Sequence, residues 1–348
     1  PYRRQRQMCI RDRAMQYLDD AIADLQKEDL IDPGAQDLLY QGDAEKWLKL
    51  AYGLKARYTM HLLKRSANKD ADMEKVLEYV DNSFESAEEQ AAFDVYDANN
   101  INPLYGFFVA RAGLGASESM RSKLAEYNDP RLSRAFITKQ GASGKEQAPG
   151  TADNAVYAPN GSPEQGTSKY GTSLFMYSIS APTLLLSYHE LKFLEAEALC
   201  RLGRDAKSAL KDAVVAGLLN AENSFSVSRK ELGKTLINPA SSITDTEAES
   251  YFDNTIEAKY TAEPLKTTMI QKYFALWGAS GEATESYNDV RRMKGLGENF
   301  IELKNPNSFP LRCPYGNSDT TTNAEVKAAY GNGQYVYSEN VWWAGGSR

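Results

Sequence analysis

The segment YHELKFLEAEALCRLGRDAKSALKDAVVAGLL, residues 188–219, has the apolar spacing of two amphipathic helices. Apolar residues recur at helical spacing from Tyr188 to Leu202, and a second such series begins at Ala206. Leu202-Gly203-Arg204-Asp205 interrupts the periodicity between the two series. The segment therefore predicts a helix, a tight turn and a second helix.

The same arrangement occurs elsewhere in the chain. An amphipathic face begins after Ala14, and a second run opens at Asp43, a residue type suited to the N-cap position. A third helix is indicated from Met73, and residues 255–292 again have the pattern of a helical pair. These features predict an all-α fold of tetratricopeptide-like helical hairpins, although no strict repeat of about 34 residues is visible.

Helical periodicity fades in two regions, residues 96–181 and 299–348. Both are rich in Gly, Pro, Ser and Asn, so we predict loops there, with short strands at most. Irregular segments of this length in a compact domain are usually either functional or disordered. We predict one domain, residues 14–348, in which a helical scaffold carries the loop-rich insert 96–181 and the loop-rich segment 299–348.

The first thirteen residues differ in composition from the rest of the chain. They contain five arginines and one acidic residue, whereas the whole protein has a net charge of -7. We interpret residues 1–13 as a non-native leader, similar to translated sequencing-adapter DNA, that replaces a native start with its signal peptide and lipid-anchor cysteine. A basic surface arm is the alternative. Cys9 itself lacks the preceding apolar stretch of a lipidation signal.

The acidic balance of the chain limits its partners. A sequence pI near 5.2 predicts no nucleic-acid partner, since phosphate binding needs a basic surface. The overall charge favours a neutral or weakly charged ligand. The sequence also lacks the run of about 18 apolar residues that a membrane-spanning helix needs.

Motifs for metal, nucleotide or nucleophilic chemistry are not found. Cys9, Cys200 and Cys313 have no metal-ligand spacing, and His189-Glu190 is followed by Phe193 where a zinc-protease helix needs a second histidine. We therefore predict no metal, no cofactor and no catalytic residue. A glycoside hydrolase with an unrecognised carboxylate pair is left open, because such an enzyme needs only two acids on either side of a bond.

Two acids in segment 188–219 do not have the geometry that a glycoside hydrolase needs. Glu195 and Glu197 are two residues apart on a helix and point to different sides. We expect one of them to be solvated and the other to pair with a basic residue such as Arg291 or Arg292.

Aromatic and amide side chains occur together in the first loop-rich region. Sugars stack their C–H faces on aromatic rings, while amides and charged groups bind their hydroxyls. Rings at the edge of the core are the alternative reading of these tyrosines. The candidate glycan-binding residues are Tyr96, Asn99, Asn100, Tyr105, Tyr157 and Tyr170.

Several segments, in this order and spacing, resemble the SusD/RagB family of starch-utilisation-type outer-membrane proteins, in particular its SusD-like subgroup. The resemblance extends from Ala14 to Arg348. The matching segments are residues 42–57, 128–132, 188–198, 271–273, 289–292, 310–315 and 340–343. Within 128–132, we expect Pro130 to favour an extended turn and Arg131 to pair with a carboxylate, a structural role.

The resemblance implies a cell-surface lipoprotein of the outer membrane that binds oligosaccharides and passes them to a SusC-like TonB-dependent transporter, without catalysis. Membrane contact would come through an N-terminal lipid anchor missing from this chain. Peptide or glycoprotein cargo on the same scaffold is the first alternative. A protein-interaction scaffold is another, since tetratricopeptide-like hairpins often bind peptides.

Overall fold

The fold is dominated by helices in the computed structural model, which describes residues 2–27, 31–111, 114–140, 146–150, 155–161, 169–278, 280–305, 308–333 and 335–346. The helices are α1 (Tyr2–Leu25), α2 (Ala44–His61), α3 (Lys69–Asp81), α4 (Pro103–Arg111), α5 (Glu118–Glu126), α6 (Tyr188–Arg201), α7 (Lys207–Leu232), α8 (Asp245–Tyr251), α9 (Glu257–Ala262), α10 (Pro264–Ala275), α11 (Ala283–Leu296), α12 (Asn317–Thr322) and α13 (Ala324–Tyr330). A π-helical turn, Phe252–Ile256, joins α8 to α9.

Several helices pack in pairs against their neighbours in the chain. Helices α2 and α3 form one pair and α6 and α7 another, while α6 also contacts α3 and α10. The prediction of an all-α fold of helical hairpins is confirmed. Asp43 is the N-cap of α2, where its carboxylate accepts a hydrogen bond from the Lys46 backbone N–H at 3.1 Å. The turn at Gly203 (φ 68) lies between α6 and α7, as the break in periodicity indicates.

Short strands form two small antiparallel sheets. The strands are β1 (Ala91–Phe93), β2 (Phe136–Gln140), β3 (Glu146–Pro149), β4 (Thr172–Ser173) and β5 (Thr183–Leu186). One sheet pairs β1 with β5, and the other has the order β3-β2-β4. The first sheet places Ala92 opposite Leu184, and the second places Thr138 opposite Ala148.

The prediction of loops with short strands at most is wrong for parts of both loop-rich regions. Helices α4 and α5 lie within 96–181, and α12 and α13 lie within 299–348. These helices have only six to nine residues. So few turns give too few apolar positions to establish a period. The backbone of Tyr2 to Arg13 is part of α1, and the interpretation of residues 1–13 as a non-native leader stays a prediction, as does the single domain 14–348.

Two main apolar clusters form the core. One joins α2 and α3 to α6 through residues such as Met60, Val76 and Leu191. The other surrounds α7 and α10 and includes Phe175, Phe225 and Phe274. Because α6 contributes Leu194 to the first cluster and Phe193 to the second, it is shared between them.

Buried ion pairs link the segments on which the family resemblance rests. Arg57 of α2 binds Glu190 of α6, and Lys272 of α10 lies 2.8 Å from Asp289 of α11. Glu197 is fully buried and accepts hydrogen bonds from Arg292. These pairs fix the register of four helices against one another, since a buried charge that loses its partner is costly.

The expectation that one of the two acids of α6 pairs with Arg291 or Arg292 is confirmed, whereas the other, Glu195, is paired with Lys192 rather than simply solvated. Glu197 is the paired acid, and Arg292 rather than Arg291 is its partner on α11. Glu195 is partly exposed and lies next to Lys192 on the same helix. Arg291 instead packs its guanidinium over the Tyr287 and Trp343 rings, at 4.2 and 5.1 Å from their centroids.

Candidate ligand-binding site

Four of the six predicted residues, Tyr96, Asn99, Asn100 and Tyr105, lie in the segment that leads into α4. Asp97 shapes this segment, since its Oδ1 accepts hydrogen bonds of 2.7 Å from the backbone N–H groups of both Asn99 and Asn100. Both asparagines are exposed. The pKa of Asp97 is lowered by these same hydrogen bonds. The turn therefore presents two amide side chains to solvent.

The two tyrosines of this segment are held by their hydroxyl groups. Tyr96 forms a 2.9 Å hydrogen bond with the Thr183 hydroxyl, and its ring meets Phe93 edge to face at 5.1 Å. Tyr105 donates to Glu231, near the end of α7, at 3.1 Å. Burial and this hydrogen bond raise the pKa of Tyr105. Both rings are half-buried.

Apolar side chains are exposed in the same segment. Ile101, Phe107 and Val109 all reach solvent, and Phe107 keeps 51% of its surface exposed. We call the surface of residues 95–111 the loop face. It combines exposed apolar groups with the amides of Asn99 and Asn100.

The other two predicted residues, Tyr157 and Tyr170, lie beside the three-stranded sheet. Tyr170 is buried, with 8% of its surface exposed. Tyr157 is half-buried between Phe136, which it meets edge to face at 5.3 Å, and the Arg121 guanidinium, 5.6 Å from its ring centroid. The six predicted residues are therefore divided between two regions of the chain.

The described residues line a cleft of about 880 Å³. Helix α5 forms one side, and α10 with the end of α9 forms another. Residues 300–304 and the Pro159-Asn160 pair complete the lining. We call this cavity the α5–α10 cleft. Its volume is within the range of roughly 300–1,000 Å³ that is typical of small-molecule sites.

Aromatic rings form the inner surface of the α5–α10 cleft. Tyr127 and Phe274 are buried there and meet edge to face at 5.5 Å, and Tyr273 is half-buried beside them. Burial, with the charges of Glu126 and Glu263, raises the pKa of Tyr127 to about 12. The Tyr127 hydroxyl therefore remains a neutral hydrogen-bond donor at physiological pH.

Polar groups surround these rings. Helix α5 contributes Ser119 and Ser122, and the loop after Tyr157 contributes Asn160. Four lysines and four glutamates also line the cleft. They are Lys123, Lys259, Lys266, Lys304, Glu118, Glu126, Glu263 and Glu302.

Local sequence features determine where the two sides of the α5–α10 cleft lie. Ser117 caps α5 by accepting from the Met120 N–H at 3.3 Å, and its hydroxyl donates to Asn160 at 3.2 Å. Helix α5 ends at Glu126, and Asn128, two residues later, has a φ of 47, a conformation that asparagine tolerates. The cap and the end of one short helix thus set the position of Asn160 and of Tyr127.

Arg131 connects the two sides of the cleft. It donates to both carboxylate oxygens of Asp129, at 2.8 and 2.6 Å, and to the backbone carbonyl of Phe274 at 2.8 Å. Arg131 and Asp129 are both buried. The expectation that Arg131 pairs with a carboxylate in a structural role is confirmed, and Pro130 follows an extended Asp129 (ψ 132) as expected. Arg131 fixes the end of α5 against the end of α10.

Comparison with known proteins identifies the family of this chain. A SusD-like family model, described as starch-binding and associating with the outer membrane, matches residues 3–315. The chain belongs to the SusD-like family. The resemblance predicted from the sequence is confirmed.

Solved structures give the same result. This SusD-like chain is 67% identical to a SusD/RagB family protein from Bacteroides thetaiotaomicron, with a TM-score of 0.91, covering 96% of this chain and 72% of that protein. A SusD homologue from Bacteroides fragilis has 19% identity and a TM-score of 0.72 over 97% and 75% of the two chains. A chitin-binding protein has 21% identity and a TM-score of 0.67 over 97% and 73%. The last two are similarities of fold alone. No curated protein matches the chain.

Sequence reasoning missed the α5–α10 cleft of this SusD-like protein. The signal available was Tyr127, which directly precedes the quoted segment 128–132. The remaining lining comes from positions far apart in the chain, such as Asn160, Tyr273 and Phe300. Their proximity depends on how α5 and α10 pack, which no local pattern reports.

Proposed function

We propose that this SusD-like protein binds oligosaccharides in the α5–α10 cleft. The observation that carries the proposal is the lining of the cleft, in which aromatic rings lie below a rim of hydroxyl, amide and charged groups. Sugars present apolar C–H faces together with hydroxyls that both donate and accept hydrogen bonds. A site with rings and mixed polar groups satisfies both needs.

The loop face is the second surface proposed for glycan contact, with Tyr96, Asn99, Asn100 and Tyr105 as its binding residues. Its exposed apolar groups support this role, since clustered exposed apolar side chains mark interaction sites. Tyr157 has a different part in the proposal. Its ring anchors the loop that brings Asn160 to the cleft. Burial of Tyr170 favours a role in packing for that residue.

We place the protein at the outer membrane, exposed on the cell surface, where it passes glycans to a SusC-like TonB-dependent transporter. The family description, which includes association with the outer membrane, supports this placement. None of the described helices has the length and apolar character needed to cross a bilayer. Recovery of a TonB-dependent transporter after cross-linking the protein in its own outer membrane would support the partner. Recovery of other proteins alone would contradict it.

The proposed role is binding without catalysis. A retaining or inverting glycosidase needs an acid with a raised pKa beside the bond to be cleaved. Glu302, in the cleft, has its pKa lowered by Lys304. Glu190 has a pKa raised by burial, but it is fully enclosed and its carboxylate is bound by Arg57. Turnover of a chromogenic glycan that is lost in a single Glu→Gln variant would overturn this part of the proposal.

The test is calorimetry with a panel of neutral plant, host and storage oligosaccharides, supported by thermal unfolding to show that each variant is folded. Tyr273→Leu keeps apolar volume in the cleft but removes the ring, and Asn160→Ala removes the amide. Tyr96→Ala and Tyr105→Ala change the loop face and serve as the matched comparison. We expect each cleft variant to weaken binding about tenfold, the effect of about 1–2 kcal/mol from one stacked ring or satisfied amide.

Each outcome of this calorimetry experiment supports a different conclusion. Loss of binding in the cleft variants alone supports the α5–α10 cleft, and loss in the loop variants alone moves the site to the loop face. A folded protein that binds peptides and no glycan would replace the proposed cargo with peptide or glycoprotein.

A further inference from the structure

The lysines of the α5–α10 cleft differ in whether they have acidic partners. Lys266 pairs with Glu263 at 2.8 Å, and Lys304 pairs with Glu302. Lys123 donates to the Ser119 hydroxyl at 2.6 Å and has no carboxylate within ion-pair distance among the described residues. Lys259 likewise has none in that part of the chain, and its ammonium lies over the Tyr127 ring at 4.6 Å.

The positions of these two lysines distinguish them from the unpaired acids of the cleft. Lys123 and Lys259 are half-buried, whereas Glu118 and Glu126 are exposed. Charges in contact with solvent are screened, but charges near buried surface interact strongly. The α5–α10 cleft therefore holds two half-buried lysines without a carboxylate partner among the described residues, although lysines and glutamates are equal in number along its lining and the whole protein has a net charge of -7.

The charged form of Lys123 is destabilised by its surroundings, and a bound anion would stabilise it. Burial lowers the pKa of Lys123, and the charge of Glu302 opposes this only in part, so that the charged form of Lys123 is disfavoured where it lies. A half-buried ammonium whose only described side-chain partner is a hydroxyl would gain a charged hydrogen bond from a ligand carboxylate or sulfate.

We infer that the α5–α10 cleft selects acidic oligosaccharides, with the carboxylate or sulfate of the sugar bound between Lys123 and Lys259 and a sugar ring placed on Tyr273. This inference rests on the proposed glycan-binding role of the cleft. It narrows the ligand from neutral glycans, which the overall charge favours, to glycans that carry a uronic acid or a sulfate ester.

The experiment compares three probes by calorimetry at low and moderate salt. Oligogalacturonate carries free carboxylates, its methyl ester has the same sugars without the charge, and a sulfated oligosaccharide separates sulfate from carboxylate. We expect free oligogalacturonate or the sulfated probe to bind at least tenfold more tightly than the methyl ester, with the preference reduced by salt.

Variants of single lysines test which side chains cause the preference for acidic glycans. Lys123→Met and Lys259→Met should each reduce affinity for the acidic probe about tenfold and reduce affinity for the methyl ester by much less, since one charged hydrogen bond to the acid group is lost. Lys266→Met removes the same charge from a lysine already paired with Glu263 and should have a smaller effect. Lys75→Met, outside the cleft, controls for net charge.

Two results would overturn the inference in different ways. Equal affinity for ester and free acid, or binding of neutral glycans alone, would refute acidic selection and leave the glycan-binding proposal intact. Failure of every glycan to bind a folded protein would refute both.

Discussion

Glu197 and Arg292 are 95 positions apart in the chain and form a fully buried ion pair between α6 and α11. Arg292 also binds Asp289 at 2.7 Å, and Glu197 also accepts from Arg201 at 2.7 Å. Burial opposes the charge on Glu197, but Arg292 and Arg201 lower its pKa. The pair thus keeps the carboxylate charged in a place from which water is excluded.

Glu197→Gln should lower the free energy of unfolding by about 3–5 kcal/mol, because it leaves Arg292 buried with one acidic partner fewer. Urea denaturation measures the change. Glu195→Gln on the same helix is the control and should cost less than about 1 kcal/mol, since that acid is partly exposed next to Lys192. Equal losses in the two variants would contradict a special role for the buried pair.

Gly217→Ala should destabilise the protein by about 1–3 kcal/mol through overpacking. A Cβ at this position of α7 would lie 2.8 Å from the Ala275 Cβ of α10, so the two helices would have to separate. Gly106→Ala in α4 is the control, because its Cβ would meet only the flexible end of Ile101 at 3.2 Å. The double variant Gly217→Ala/Ala275→Gly should regain stability in thermal unfolding. A single variant as stable as the wild type would show that α7 and α10 do not need this close approach.

Asp43→Ala should cost about 1 kcal/mol, because the first turn of α2 loses the carboxylate that accepts from the Lys46 N–H. Asp43→Asn keeps an oxygen acceptor and should lose only a few tenths of that amount. Chemical denaturation of the three proteins checks the order of stability. An Asn variant as unstable as the Ala variant would assign the effect to the charge rather than to the cap.

Acid should weaken the protein partly through Glu285. Burial raises the pKa of this acid, but the hydrogen bond and charge of His61 outweigh burial and lower it to about 2. Since the folded pKa is below the unfolded value of about 4.3, Glu285 contributes its full stabilisation above that value and loses it as the pH falls towards 2.

The measurement is the unfolding free energy of wild type and Glu285→Gln between pH 6 and pH 2. The difference between them should be on the order of 2 kcal/mol above about pH 5 and should shrink as the pH falls. Glu45→Gln, at an exposed acid of α2, is the control and should give a small difference. Parallel curves for Glu285→Gln and wild type across this range would refute the assignment.

The sequence alone determined the helical scaffold. Apolar spacing from Tyr188 to Leu202, a break at Gly203 and an N-cap at Asp43 each act over a few residues, so they can be recognised without knowing the neighbours. The sequence alone also provided the order of the segments that identify the family. It likewise predicted that one acid of α6 pairs with a basic residue.

Tertiary packing decided which side chains from distant parts of the chain lie next to one another. The choice of Arg292 over Arg291 depends on the rotation of α11 against α6, because adjacent residues on a helix face about 100° apart. The α5–α10 cleft joins side chains from positions 118 to 304, and the lysines within it differ only through burial and neighbours. Local sequence patterns encode period and caps, whereas a cleft is produced by distances between elements that the chain order does not contain.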